Sequence, residues 1–353
     1  MHIDELLTAA VDKGASDLHL AAGMPPLLRV NTRLSVLDEA VLEPEDTIAL
    51  ARLLLGPERF GTYEATGEID ASYQIEGVAN FRLNIYRHQG QTALAFRIIS
   101  LDIPSIASLG LPDIVASFAR YSSGLILVTG PTGNGKSTTL AAMVNLINHE
   151  RASHVVTLED PIEFVHSNLR SLITQREIGT DSLSFASALR SCLRQDPDVI
   201  MVGEMRDLDT ISTAITAAET GHLVIATLHT INAPQSIERI IDAFPPTQQH
   251  QVRVQLANSL IGILSQRLLP HRLPGQRMVM AMEIMVCNAA VRNMIREGKV
   301  HQVHNAMQTS ANLGMRTMDQ AVQELIAQNK IDSGLFTSQQ LAPSAHAFRN
   351  IRL

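Results

Sequence analysis

The sequence predicts an α/β protein of two domains: a small α+β domain, then a larger one on a mostly parallel sheet with a helical C-terminal part. Three observations predict it. The chain has 353 residues, too many for one ordinary compact domain and about right for two. Hydrophobic residues make up 45% and charged residues 18%, enough apolar material for globular cores. At Gly124 the texture changes, from short alternating segments between turn residues to continuous apolar runs separated by helical patterns.

The elements follow in order. Ile3, Leu6, Leu7, Ala10 and Val11 have the spacing of a short amphipathic helix. Leu27–Val30 and Arg33–Leu37 read as strands around an Asn31-Thr32 hairpin turn, and residues 44–60 as a helix. Phe81–Tyr86 and Ala93–Ile99 read as strands around a Gln89-Gly90 turn. This first domain spans residues 1–100, and residues 101–112, with Pro104, Gly110 and Pro112, form the linker. Leu125–Val128, His154–Leu158, Val199–Val202 and Leu223–Leu228 are apolar strands alternating with helices, the signature of a parallel sheet covered on both faces. From about residue 247 to 335 the pattern is predominantly helical, so the second domain is expected over 113–335, with a loose tail over 336–353.

The totals exclude several classes. No run approaches the roughly 18 apolar residues of a membrane span, and the N-terminus, with Asp4, Glu5 and Asp12, is no secretory signal. A cytoplasmic protein is expected. Cys192 and Cys287 stand far apart without a CxxC pair, which excludes a tetracysteine zinc site and fits buried thiols. A net charge of −7 without Trp lacks the basic stripe and stacking aromatics of a nucleic-acid track, so no nucleic-acid partner is expected.

Gly130-Pro131-Thr132-Gly133-Asn134-Gly135-Lys136-Ser137 matches G-x-x-x-x-G-K-[ST] in full, with Thr138 next. An apolar strand enters this loop and an Ala/Leu-rich helix leaves it, which aims backbone N–H groups and a helix N-terminus at phosphate oxygens. The motif points to ATP. Lys136 would reach its β and γ phosphates and Ser137 would ligate Mg²⁺. A second acidic group is expected on a neighbouring strand. Glu204, after Val199–Val202 and Gly203, stands where α/β folds place ligands and is the candidate metal carboxylate. Water activation needs a further carboxylate, and Glu159, Asp160 and Glu163 are the candidates, with an Asp160-Pro161 turn as the plain structural alternative.

His222 and His229 bracket the strand Leu223–Leu228. Seven extended residues cover roughly 23 Å, so they cannot share one phosphate or metal. His229 is expected at the nucleotide edge, and His222 at the far end or in a structural contact. Arg82 and Arg97 interrupt apolar strands of the first domain, and buried Arg demands a partner. That partner is a carboxylate in an internal ion pair or a nucleotide phosphate, reached as an arginine finger.

Together GPTGNGKST (130–138), TLEDPIEF (157–164), DPDVIMVGEMRD (196–207) and TGHLVIATLHT (220–230) resemble the four signature boxes of the secretion-superfamily hexameric ATPases. Within them the chain is similar to the type IV pilus retraction ATPases. Ala15-Ser16-Asp17-Leu18-His19-Leu20 also resembles that group, and Ala290-Val291-Arg292-Asn293-Met294-Ile295-Arg296-Glu297 is similar to its C-terminal helix motif. The resemblance covers residues 3–335. It implies a PAS-like N-terminal domain, a RecA-like ATPase domain, a homohexameric ring, and Mg-ATP bound between the domains. Glu163 matches the water-activating carboxylate, Glu204 the Mg-associated one, and His222 and His229 the paired histidines. Arg82 and Arg97 match arginines that contact nucleotide or stabilise charge as the domains close, and Arg292, Asn293 and Arg296 belong to the retraction motif. The implied work is pilus retraction and twitching motility at the inner-membrane face, with a polytopic platform protein and a paralogous retraction ATPase as partners. Asn134 departs from the usual Ser, and Val291 and Met294 from Ile and Leu, which leaves an accessory retraction ATPase as the alternative.

Other classes fit less well. Pilus-extension and secretion ATPases resemble the second domain but usually carry extra N-terminal domains and often a tetracysteine element. A RecA-like nucleic-acid motor wants basic loops. A nucleotide-binding scaffold without turnover does not need the competent residue found here at every catalytic position.

Overall fold

A computed structural model describes residues 2–30, 33–99, 103–273 and 278–333. The Asn31-Thr32 turn, residues 101–102 of the expected linker and the expected tail lie outside the described residues. The chain divides into two compact units, Met1–Ile103 with Glu163–Val165, and Pro104–Ile162 with His166–Leu353.

The first unit runs α1 (Ile3–Asp12), β1 (Asp17–Ala21), β2 (Leu27–Val30), β3 (Arg33–Val36), α2 (Pro44–Thr66), β4 (Glu68–Ile75), β5 (Ala79–His88) and β6 (Gln91–Ile99). Its strands form one six-stranded sheet in the order β3-β2-β1-β6-β5-β4. Gln89 (φ 52°) and Gly90 (φ 81°) make the two-residue turn between β5 and β6, both in the left-handed region such hairpins require. The Asp46 carboxylate accepts from the Glu43 N–H at the start of α2, and Pro44 at its first position forfeits no hydrogen bond. At Gly56-Pro57 the helix breaks, because proline has no N–H to continue the ladder. Phe81, Leu83 and Ile85 of β5 alternate inward and pack with Leu18, Leu94, Phe96 and the helix residues Leu7, Ala51 and Tyr63.

That alternation corrects one expectation. Arg82 and Arg97 occupy the outward positions of β5 and β6 and are exposed, so burial forces no partner on them, although Arg97 does make an internal ion pair, with Asp17.

The second unit begins with α3 (Asp113–Ala119) and continues β7 (Gly124–Thr129), α4 (Lys136–Glu150), β8 (His154–Glu159), β9 (Leu172–Glu177), α5 (Phe185–Cys192), β10 (Val199–Val202), α6 (Leu208–Glu219), β11 (Leu223–Leu228), α7 (Ala233–Asp242) and α8 (Pro246–Ser259). After it come β12 (Leu260–Leu269), β13 (Val279–Val286), α9 (Ala289–Arg296), α10 (Val303–Thr309) and α11 (Met318–Ala327). The seven-stranded sheet has the order β13-β12-β7-β11-β10-β8-β9, and only the β12–β13 pairing is antiparallel. Leu125 and Leu127 of β7 face α5, α6 and α7 with Ile200, Val202, Val224 and Ala226. Ile126 and Val128 face α3 and α4 with Met201, Leu223 and Ile225. Each strand therefore reads as an unbroken apolar run because both faces are covered. Each fully buried Leu, Ile or Val contributes about 1.5–3 kcal/mol. Ile106 and Leu111, within the expected linker, are buried in the second of these cores.

The stretch expected to be predominantly helical also holds two long strands. Periodicity does not separate a short apolar run in a strand from one in a buried helix, and Leu260–Leu264 is such a run. The place beside β7 decides it: Ile263 pairs with Leu127 and Ser265 with Thr129. A shift in register between Leu260 and Gly262 starts the strand, and a methyl group at Gly262 would stand 2.4 Å from Phe118 and 2.6 Å from the Met285 carbonyl oxygen. Among the described residues no helix is long and apolar enough to cross a membrane.

Gly262→Ala is expected to lower the unfolding free energy by about 1–3 kcal/mol through overpacking, measured by urea titration. An unchanged midpoint would show that Phe118 and β13 yield without cost.

Candidate nucleotide site

The site is built on the C-terminal ends of three neighbouring parallel strands, β7, β11 and β10, where open α/β sheets bind their ligands. From β7 the chain enters the loop 130–135. Gly130 has φ 144°, and a methyl group on it would lie 2.4 Å from the Gln266 carbonyl oxygen, so glycine alone lets β7 pass β12 here. Gly133 (φ 78°) and Gly135 (φ 75°) turn the loop through left-handed geometry. Asn134 takes no such conformation. Its side chain instead donates to the Pro131 and Thr132 carbonyls, both at 3.3 Å, and accepts from the Leu268 N–H at 2.8 Å.

Gly135 is the N-cap of α4, and no side chain caps that end of the helix. The first-turn N–H groups, with Ser137 and Thr138 among them, are the donors that hold an anion in such loops. The Lys136 ammonium donates to the carbonyls of Gly130 (2.9 Å) and Pro131 (3.1 Å), folded over the loop it would leave for phosphate. A glycine cradle with no room for a Cβ at Gly130, an uncapped helix start and a lysine over the loop fit a nucleotide's phosphates.

Glu204 follows β10 through Gly203, whose N–H donates to the Leu158 carbonyl at 2.7 Å. Its carboxylate pairs with the Arg206 guanidinium and stands 3.1 Å from Nε2 of His229. Burial pushes the Glu204 carboxyl up, but Arg206 and His229 together outweigh it and hold the group below its ordinary range. His229, just after β11, also lies 3.5 Å through Nδ1 from the Thr132 hydroxyl. It therefore links the phosphate loop to Glu204. These residues are brought together: Thr132, Lys136, Glu204, His229 and, unforeseen, Arg206. The quoted DPDVIMVGEMRD box contained Arg206, and a cation two residues from a strand-end carboxylate was the signal for it.

The other candidates make separate contacts. His222, at the opposite end of β11, engages the Ala217 carbonyl at 3.0 Å and the Thr220 hydroxyl at 3.3 Å. Of the three acids after β8, Glu159 is buried and accepts from Thr157 (2.6 Å) and Gln175 (3.1 Å). Asp160 and Glu163 are exposed, and Glu163 groups with the first unit. In that unit Arg82 and Arg97 are direct cross-strand partners, and Arg97 pairs with Asp17 at 3.2 Å. On α9, Arg292 donates to the Cys287 carbonyl (3.1 Å) and the Asn258 carbonyl (3.5 Å), Arg296 to the Asn258 side chain (2.8 Å), and Asn293 to Glu297 (2.8 Å).

Residues 97–343 match the family of type II/IV secretion system proteins. The type IV pilus retraction ATPase PilT of Pseudomonas aeruginosa is 44% identical over 331 residues, covering 94% of this chain and 96% of that protein. The type IV pilus ATPase PilU of the same organism is 37% identical over 331 residues, covering 94% of this chain and 86% of its own length. The crystal structure of the pilus retraction motor PilT with bound ADP superposes with a TM-score of 0.90 at 45% identity, covering 98% of both chains.

Because its partners depress the Glu204 carboxyl, their contribution to stability is present at neutral pH and is lost as pH falls through the folded-state value. Arg206→Gln should therefore destabilise the protein at about pH 7 and converge with wild type as pH falls through the folded-state value of Glu204, measured by urea unfolding across the acid range. A pH-independent difference would mean that Arg206 acts through packing alone.

Proposed function

The chain belongs to the type II/IV secretion system protein family, and on that premise we propose that it is the motor of type IV pilus retraction. In this reading it is an ATPase that hydrolyses Mg-ATP as a ring of six copies. It acts at the cytoplasmic side of the inner membrane on a polytopic platform protein. The observation that carries the reading is the meeting of the phosphate loop, Glu204 and His229 at one edge of the sheet.

Bound ATP would supply the scissile phosphoryl group, and a Mg²⁺ ion would supply charge neutralisation there. Lys136 leaves the Gly130 and Pro131 carbonyls for the β and γ oxygens, while the N–H groups of the loop and of the first turn of α4 hold the phosphates. The Ser137 hydroxyl and the Glu204 carboxylate would hold the metal, and His229 and Arg206 keep that carboxylate oriented. Glu163 orients the attacking water. The engagement of Glu159 with Thr157 and Gln175 supports that choice against one of its neighbours. Arg82 and Arg97 contact the nucleotide. Like charges directly opposite on neighbouring strands are unfavourable, and an anion relieves them. Arg97 already has a carboxylate in Asp17, so the nucleotide role rests more heavily on Arg82.

The accessory alternative is weaker, because identity to PilT is 44% and to PilU 37% over the same number of residues. Arg292, Asn293 and Arg296 serve coupling to the partner rather than hydrolysis.

In cells of the source organism lacking the gene, long surface pili that fail to retract are expected, rescued by wild type and not by Lys136→Ala. Bald cells would assign the protein to pilus assembly instead. Arg292→Ala is expected to bind nucleotide with an affinity within about twofold of wild type, yet leave retraction lost, because its bonds end on Asn258 and Cys287. Equal loss of binding and retraction would make Arg292 a residue of the fold.

A further inference from the structure

Gln266 lies in the polar Ser265-Gln266-Arg267 stretch of β12, and it is fully buried. Its amide donates to the Asn134 carbonyl at 2.7 Å, and its carbonyl accepts from the Thr139 hydroxyl at 3.1 Å. One end of this side chain thus holds the phosphate loop and the other holds the first turn of α4. Two residues along the same strand, the Leu268 N–H donates to Oδ1 of Asn134 at 2.8 Å. Asn134 passes the restraint on, since its Nδ2 donates back to the Pro131 and Thr132 carbonyls. Behind the pair, the Gln266 backbone carbonyl fills the space that any Cβ at Gly130 would need.

We infer that Gln266, with Asn134, is a positioning residue for nucleotide: β12 clamps the phosphate loop so that its N–H groups are aimed before the phosphates arrive. The inference deepens the reading of this loop as a nucleotide site and rests on it. A glycine-rich loop has no ladder of its own, and a loop left to find its bound form on binding loses affinity to the ordering. The clamp acts through backbone carbonyls and amides and touches no reacting atom. Buried acceptors left without their donor carry a penalty, so breaking the clamp also penalises the clamped arrangement against looser ones.

The test is nucleotide affinity of the full chain, read as fluorescence anisotropy of a labelled ADP with Mg²⁺, beside the thermal midpoint of each variant. Gln266→Leu keeps the volume and removes both amide functions. It is expected to weaken binding about tenfold or more at a temperature well below its midpoint. Asn134→Ala removes only the loop side of the clamp and is expected to weaken binding about fivefold. Because the two residues act as one device, the double variant should lose less than the product of the single losses. A folded Gln266→Leu with wild-type affinity, or single losses that multiply, would overturn the inference. If Gln266→Leu does not fold, Asn134→Ala decides it alone, with loss of affinity supporting the clamp and wild-type affinity refuting it. Failure of the wild-type protein itself to bind the probe would instead refute the nucleotide site.

Discussion

The phosphate loop hangs on β12, and much else in the second unit depends on that. A loop that must present its amides to an anion cannot spend them on itself, so it needs support from outside. Here the support comes from the strand next to β7. Thr129 and Ser265 bond across the last pair of the ladder at 2.9 Å, the Gln266 carbonyl packs against Gly130, and the Gln266 amide and the Leu268 N–H hold Asn134. The other end of β12 follows α8 without a break, and Arg292 and Arg296 of α9 grip Asn258 at that junction. Loop and α9 motif are thus tied to opposite ends of one strand.

The edge that carries Glu204 and His229 is arranged by the same sheet. Parallel strands all end on one side, so the loop after β7, His229 after β11 and Glu204 after β10 arrive as neighbours. Their chemistry is set locally: Arg206 and His229 keep Glu204 ionised despite burial. His229 also reaches Thr132, so the loop and the carboxylate are held in register by one imidazole. His222 shares the strand but not the site, because an extended chain between them carries it to the opposite edge, where it closes the turn after α6.

Much of this could be read from residues alone, for identifiable reasons. Strands buried on both faces betray themselves as unbroken apolar runs, and a glycine loop between such a strand and a helix is specific enough to place Lys136 and Ser137. What escaped depends on tertiary neighbours. The run at Leu260–Leu264 is a strand because β7 lies beside it, and the burial of Gln266 follows from the same placement. Arg82 and Arg97 stand among apolar neighbours in the sequence, yet the two-residue period of a strand sends alternate side chains to opposite faces. Arg206 carried a signal that was visible but easily passed over, a cation beside a strand-end acid.

The most direct test of the central claim is a structure of the chain with a non-hydrolysable ATP analogue and Mg²⁺. The phosphates should lie within hydrogen-bond distance of the N–H groups of residues 133–137. The Lys136 ammonium should have moved from the Gly130 and Pro131 carbonyls to the β and γ oxygens, with Gln266 still bonded to Asn134. Nucleotide bound elsewhere, or Lys136 still on those carbonyls beside a filled site, would contradict it.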